Sequence, residues 1–294
     1  MSEFAIISGQ LFNGLSVASI LLLTALGLAL SFGQMGVINM AHGEMLMAGG
    51  YLAYVAETLV HGALAFPFAL LVAFLGATLL GALLEVTVVR WLYGRPLDTL
   101  LATWGISLVL QQGARSLFGA VGVDVVAPHW MSGSIATLPD VRLFIIAMAA
   151  VVLALMALFM ARTRWGLWLR AVHQDRGMAA ALGVNTSRVD LLVFALGTGI
   201  AGLGGAGLAL IAPVTPTVGQ SYIVYAFLIV IVGGMGSLKG TAWAAVLVGL
   251  FSAAVQMITS VSLADVWLLV AVIAFIQYRP QGMFAKRSRA LEGA

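Results

Sequence analysis

The sequence predicts an all-α, polytopic integral membrane protein with eight to nine membrane segments, one of them broken or re-entrant. Three observations predict it. Of the 294 residues, 62% are hydrophobic and only 9% are charged, whereas a soluble domain carries about 25% charged residues. Apolar runs of about twenty residues, the length a spanning helix needs, recur along the whole chain. The 34 glycines suit helices that must approach closely in lipid. A soluble fold of this length would have to expose large apolar patches. Lipid is the solvent that fits, and residues 1–294 read as a single transmembrane domain.

Candidate spans cover residues 10–31, 36–58, 66–89, 98–118, 141–161, 190–211, 222–238, 241–259 and 263–278. The first is uncharged throughout. The sequence begins Met-Ser-Glu-Phe-Ala, without a basic n-region, so no cleavable signal peptide is expected and the first span is retained. The second stretch holds Asn39, His42, Glu44 and a Gly-Gly pair, which predicts a break or a re-entrant turn. The third carries Glu85 near its end, one turn from Arg90, and the two are expected to pair. The fourth holds Gln111 and Gln112. The fifth and sixth flank a long polar segment. The seventh is short and ends in Gly233, Gly234 and Gly236. The last two are long apolar runs. Eight full spans and one partial segment is the competing count.

With nine spans, the N-terminus outside and the C-terminus inside, the inner segments collect Arg90, Arg95, Arg162, Arg164, Arg170, Arg176, Arg188, Lys239, Arg279, Lys286, Arg287 and Arg289. Only Arg115 and Arg142 of the 14 Lys and Arg fall outside, as the positive-inside rule demands. Residues 119–140 form an external loop long enough to dock or cap something. Residues 162–190 form the longest internal segment, where a few residues would suffice. Within it, Leu169–Leu182 reads as a short helix. Arg170, Gln174, Asp175 and Arg176 supply its polar positions, Ala180 lies on its course, and Gly183 is its C-cap. Attraction to headgroups needs only clustered basic residues; a short helix of mixed polarity is better explained as a docking element. Phe32–Gly36 and Val232–Gly236 echo each other, each preceding a Gly-rich stretch, though the match is too short to establish a repeat.

Several functions are excluded. The chain has no cysteine, so disulfides, thiolate metal sites and thiol catalysis are absent. Gly236-Ser237-Leu238-Lys239-Gly240-Thr241 has Lys and Gly in the wrong order for a phosphate loop, so the chain cannot hydrolyse ATP alone. His42-Gly43-Glu44 lacks the second histidine of a zinc motif, and no nucleophile–base pair is evident. No catalytic residue, metal site or cofactor is expected. Polar groups inside spans are costly and therefore informative. Asn39, His42, Glu44, Gln111, Gln112, Gln220 and Tyr222 are the candidates for a polar solute path; each could instead bond one helix to its neighbour.

The run from Met35 to Glu44 (MGVINMAHGE), followed by Gly49-Gly50-Tyr51, resembles the N-terminal signature of branched-chain amino-acid type ABC permeases. Arg170-Ala171-Val172, Asp175-Arg176, Ala179-Ala180 and Leu182–Asn185 resemble that family's cytoplasmic coupling loop, and Gly233–Ser237 its late glycine cluster. A narrower resemblance, to the urea-transport branch, rests on Arg95–Gln112, Trp130–Gly133, Gly219–Ile223 and Phe275–Phe284. Tyr225 departs from it, standing where such permeases often carry an acid. The resemblance implies a subunit of a bacterial inner-membrane importer. Its partners would be a second homologous permease, two ATP-binding subunits, an extracytoplasmic solute-binding protein and membrane lipid, with no nucleic acid. Urea or a short amide is the expected solute, and a branched-chain amino acid is the alternative. An ion-driven transporter using Glu44 or Glu85, or a passive channel, would not need loop 162–190.

Overall fold

The computed structural model describes residues 3–62, 64–131, 133–135 and 138–284. Ser132, Lys286, Arg287 and Arg289 lie outside the described residues. In chain order the α-helices are α1 (Glu3–Met35), α2 (His42–Leu59), α3 (Ala65–Thr87), α4 (Pro96–Phe118), α5 (Asp140–Arg162), α6 (Arg164–Gln174), α7 (Arg176–Ala181), α8 (Thr186–Ala209), α9 (Val218–Gly233), α10 (Leu238–Gln256) and α11 (Val261–Tyr278). Every one of the nine candidate spans is thus occupied by a helix. Six of these, α1, α3, α5, α8, α10 and α11, are long and apolar enough to cross a membrane. α9 is apolar but shorter, while α2 and α4 are diluted by polar side chains. Among the described residues the fold is all-helical apart from one small ribbon, Ser134–Ile135 paired with Leu138–Pro139.

Packing reverses the soluble pattern. On α3, Ala69, Ala73, Ala77, Gly81 and Glu85 recur every fourth residue and are buried. Leu71, Leu75, Leu79 and Leu83, on the other side of the same helix, are exposed. Small residues face the bundle because they let backbones approach, and large apolar ones face outward because the solvent there is itself apolar. α10 and α11 repeat this with exposed Trp243, Leu247, Val266, Trp267 and Ile273.

α8 is the hub, packed on α1, α2 and α3. A Cβ at its Gly205 would overlap the carbonyl oxygen of Leu46 in α2, and one at Gly27 in α1 would overlap Gly197 of α8. The echoed segments Phe32–Gly36 and Val232–Gly236 meet in space, with Gly33 pressed on the Gly236 backbone.

Side chains cap the helices at one end of the bundle. Thr163 Oγ1 accepts from the Gly166 amide at 3.0 Å, and Asn185 Oδ1 from Arg188 at 3.1 Å. Ser237 Oγ accepts from Gly240 at 3.1 Å. The expected single helix over Leu169–Leu182 is corrected to two: α6 runs to Gln174, and α7 begins after Asp175, which is extended. Asp175 Oδ1 accepts from the Met178 amide at 2.9 Å, and an Asp that caps a new helix must leave the old one. Gly183 does end α7, at φ +85°. Val184 donates to the Ala179 carbonyl and Gly183 to that of Ala180, both at 3.0 Å, as a glycine C-cap requires.

Candidate functional site

Between α1 and α2 the chain leaves the helical path at Gly36, φ +64°. Residues 37–41 form no helix, and α2 starts inside the bundle. His42 Nε2 lies 3.1 Å from the carbonyl oxygen of Thr24, roughly three turns before α1 ends. The expected break in stretch 36–58 is therefore at its first six residues. A second break matches it. Residues 210–217 form no helix, Val214 pairs with Val123 in an isolated bridge, and α9 starts beside α2, with Gly43 against Gly219 backbone to backbone. Two helix N-termini, each with about half a positive charge, meet within the protein. Only glycine allows this approach, since a Cβ on either residue would overlap the other chain.

Glu44 lies at this junction and is 1% exposed. Ser107 Oγ and Gln111 Nε2 each donate to its Oε1 at 2.8 Å, and Gln111 Nε2 is also 3.0 Å from Ser107 Oγ. Its Oε2 faces Gly219 and has no hydrogen-bond partner. Asn39 Oδ1 accepts from the Ala41 amide at 3.0 Å, turning the chain into α2, but Asn39 Nδ2 is buried without a partner. His42 Nδ1 is in the same condition. Three unpartnered polar atoms thus fall within six residues, where each ordinarily costs about 1–3 kcal/mol and calls for water or a ligand.

The fourth wall is α4. Its buried residues Thr99, Thr103, Ser107 and Gln111 recur every four positions, a polar stripe laid on the irregular segment. Thr103 Oγ1 accepts from the Met40 amide at 3.1 Å. The rest of α4 shows exposed Leu101, Trp104, Leu108 and Val109. Sequence reasoning chose Gln111 and missed Ser107, Thr103 and Thr99; the four-residue recurrence was the available signal.

Of the expected path residues, the structure brings together Asn39, His42, Glu44 and Gln111. It does not bring Gln112, which is exposed and accepts from Arg115 at 3.3 Å, nor Gln220, also exposed. Tyr222 is half-buried against Ile20, Leu46, Ile145 and Leu208. Tyr225 lies beside Asp265 of α11, so a carboxylate is present there after all, on a different helix.

The residues expected to couple to an ATPase lie on the α6–α7 hairpin. Gln174, Asp175, Ala180 and Gly183 are exposed, and Arg170 donates to the Met160 carbonyl. Exposed Leu167, Met178 and Leu182 accompany a groove of about 400 Å³ lined by Trp165, Trp168, Leu182, Gly183, Val184, Asn185 and Arg188. Arg176 has an internal partner. Its guanidinium donates to Asp190 at 2.5 and 3.1 Å, and that hydrogen bond holds its pKa above the ordinary arginine value. Asp190 is fully buried.

Residues 10–277 match the family model described as branched-chain amino acid transport system, permease component. The chain is 28% identical to the high-affinity branched-chain amino acid transport system permease protein BraD of Pseudomonas aeruginosa, over 94% of this chain and 95% of that protein. It is 28% identical to the corresponding permease protein LivH of Escherichia coli, over 97% and 98%. A shorter match, 35% identical over 31% of this chain and 27% of the other, is to the fructose import permease protein FrcC of Rhizobium meliloti. No solved structure matches. With a family match that spans nearly all the helices and two breaks that meet at a buried carboxylate, the chain belongs to the family of permease components of branched-chain amino acid transport systems.

Proposed function

We propose that this chain is the membrane-spanning permease subunit of an ATP-driven importer in the bacterial inner membrane, and that it translocates a branched-chain amino acid past Glu44. Glu44 carries the reading. The described residues form two ion pairs, Arg90–Glu85 and Arg176–Asp190, and Glu44 belongs to neither. Ser107 and Gln111 are neutral donors. An ammonium group would supply the missing cation and three donors, while a carboxylate suits the helix N-termini at Gly43 and Gly219, as in transporters with discontinuous helices. Counted along the sequence, compensating groups for a zwitterion look scarce; the two breaks supply them. The names of the full-length relatives favour the same solute.

Urea keeps a specific observation in its favour. The resemblance to the urea-transport branch runs through the part of α4 that brings Ser107 and Gln111 to Glu44, and a carboxylate with amide and hydroxyl neighbours would also accept urea's N–H groups. Uptake of labelled leucine and labelled urea by vesicles containing the whole assembled transporter, with ATP inside, separates the two. Leucine accumulation is expected. Urea accumulation without leucine would overturn the assignment.

In this reading a second permease, two ATP-binding subunits and a solute-binding protein complete the transporter, with nine membrane segments and the α6–α7 hairpin in the cytoplasm. Cysteine labelling checks the orientation in a chain that has none of its own. A cysteine at Leu182, 78% exposed, is expected to label only from the cytoplasm, and one at Val121, 91% exposed, only from outside. The reverse pattern would refute the topology.

The hairpin's apolar outer side, Met178 and Leu182 with the Trp165–Trp168 groove, suits a protein partner better than water. Ala180 is the better test of docking than Arg176. A glutamate at 176 would stand against buried Asp190, leaving that carboxylate without its cation and destabilising the fold itself. Ala180→Glu alters only an exposed position, and it is expected to abolish uptake while the subunit still inserts. Normal uptake together with normal co-purification of the ATPase would refute docking there.

A further inference from the structure

We infer that the contact chain Glu85–Tyr93–Arg176–Asp190 links the α6–α7 hairpin to the helices around Glu44, with Tyr93 and Asp190 as positioning residues for transport. Glu85, in the last turn of α3, is fully buried. It accepts from Arg90 Nη2 at 3.0 Å and from the Tyr93 hydroxyl at 2.9 Å. Burial, and then the Glu85 carboxylate, push the Tyr93 phenol well above its ordinary range, so it remains a donor at any physiological pH. Arg176, the first residue of α7, lies over the Tyr93 ring at 5.6 Å from its centroid, within cation–π reach. The same guanidinium grips Asp190 of α8 through two hydrogen bonds. One side chain at the root of α7 therefore holds α3 through Tyr93 and α8 directly.

What lies beyond those two helices makes the link consequential. α3 meets α8 where Gly81 abuts Thr198, and α8 meets α2 at Gly202 against Gly49 and Gly205 against Leu46. Leu46 stands two residues from Glu44. The α8–α2 contacts are backbone to backbone and that of Gly81 is with the Thr198 side chain, and close-packed interiors transmit displacement instead of absorbing it. The hairpin has a second foot, His173 of α6 beside Gly236, at the turn where Gly236 meets Gly33. A hairpin tied only to its neighbouring loops could tilt without consequence. One tied through a buried carboxylate on each of α3 and α8 moves them when it moves.

The inference rests on the importer reading for its energy source and holds for either solute, leucine or urea. Its test uses the complete transporter in vesicles with ATP inside, measuring uptake of labelled leucine and urea together with phosphate release. Tyr93→Phe keeps the ring beneath Arg176 and both ion pairs, and removes the hydroxyl with its hydrogen bond to Glu85 and its weaker one to Met35 Sδ at 3.7 Å. Asp190→Asn removes the charge and keeps the shape. In both, solute moved per ATP hydrolysed is expected to fall at least roughly five-fold, the lower range of coupling between sites, while hydrolysis continues; Asp190→Glu is expected to recover part of it. If Asp190→Asn fails to accumulate, Tyr93→Phe decides alone. A wild-type ratio in Tyr93→Phe, whatever the total activity, would overturn the link, because a cluster that only holds the fold lowers both activities together. A wild-type transporter that moves neither probe would refute the importer reading itself, and the link with it.

Discussion

Glu44→Gln is expected to reduce uptake of the solute by roughly ten- to a hundred-fold while leaving the protein folded and inserted. The substitution keeps the shape of a side chain that is 1% exposed and keeps an oxygen for Ser107 and Gln111. What it removes is the charge. A hydrogen bond to a charged group contributes about 1.5–3 kcal/mol, which corresponds to that range of affinity. Glu44→Ala is a different experiment. It would leave Ser107 Oγ and Gln111 Nε2 without their acceptor, at about 1–3 kcal/mol for each buried donor, and loosen α4 from the irregular segment. Reduced accumulation in the membrane is expected for Glu44→Ala and not for Glu44→Gln. Uptake per inserted subunit, measured for both, checks the distinction. Full uptake by Glu44→Gln would remove Glu44 from the path.

The largest structural effect is expected at Gly205. A Cβ there would overlap the Leu46 carbonyl oxygen and crowd the Gly50 amide, both backbone atoms that cannot rotate aside. Overpacking of a filled core ordinarily costs about 1–3 kcal/mol and occasionally more, and here it would also push apart the helix that carries Glu44. Gly205→Ala is expected to lower the thermal midpoint of the purified protein and to impair uptake. Gly105→Ala is the matched control. Gly105 has open space around its missing Cβ, lies within α4, and should gain about 0.5–1 kcal/mol from the change. Equal midpoints for the two variants would show that the glycine contacts do not hold the bundle.

The helices were legible because each is a long apolar run, and no tertiary knowledge is needed to see that water would reject them. The first break was legible as well, since Asn39, His42 and Glu44 cannot lie within a lipid-facing helix without cost. The second was not. Residues 210–217 carry Pro213 and Pro216 but no charge, and their irregular course is satisfied by a partner, Val123, far away in sequence. Gln111 and Gln112 are chemically identical and adjacent, so only the helix phase, about 100° per residue, separates the buried one from the exposed one. Ser107 and Thr103 were marked only by their four-residue spacing from Gln111, because hydroxyls in a membrane helix usually satisfy themselves on the preceding turn and it takes the facing segment to make these two a seam. Asp175 reads equally as a surface position or as a cap, and the structure resolves it as a cap. Arg176 looked free for docking because Asp190, its partner, sits fourteen positions away across a helix break.

The central claim, that solute passes where α2 and α9 begin, is open to one direct measurement. In this cysteine-free chain, Ser107→Cys places a single thiol beside Glu44, at a position 2% exposed. In the complete transporter turning over ATP, a small water-soluble thiol reagent is expected to modify it, and saturating leucine is expected to slow that modification. Val121→Cys, in the external loop and 91% exposed, should react at a rate that leucine does not change. A Ser107→Cys thiol that stays unmodified throughout turnover, or that reacts at the same rate with and without leucine, would contradict the claim.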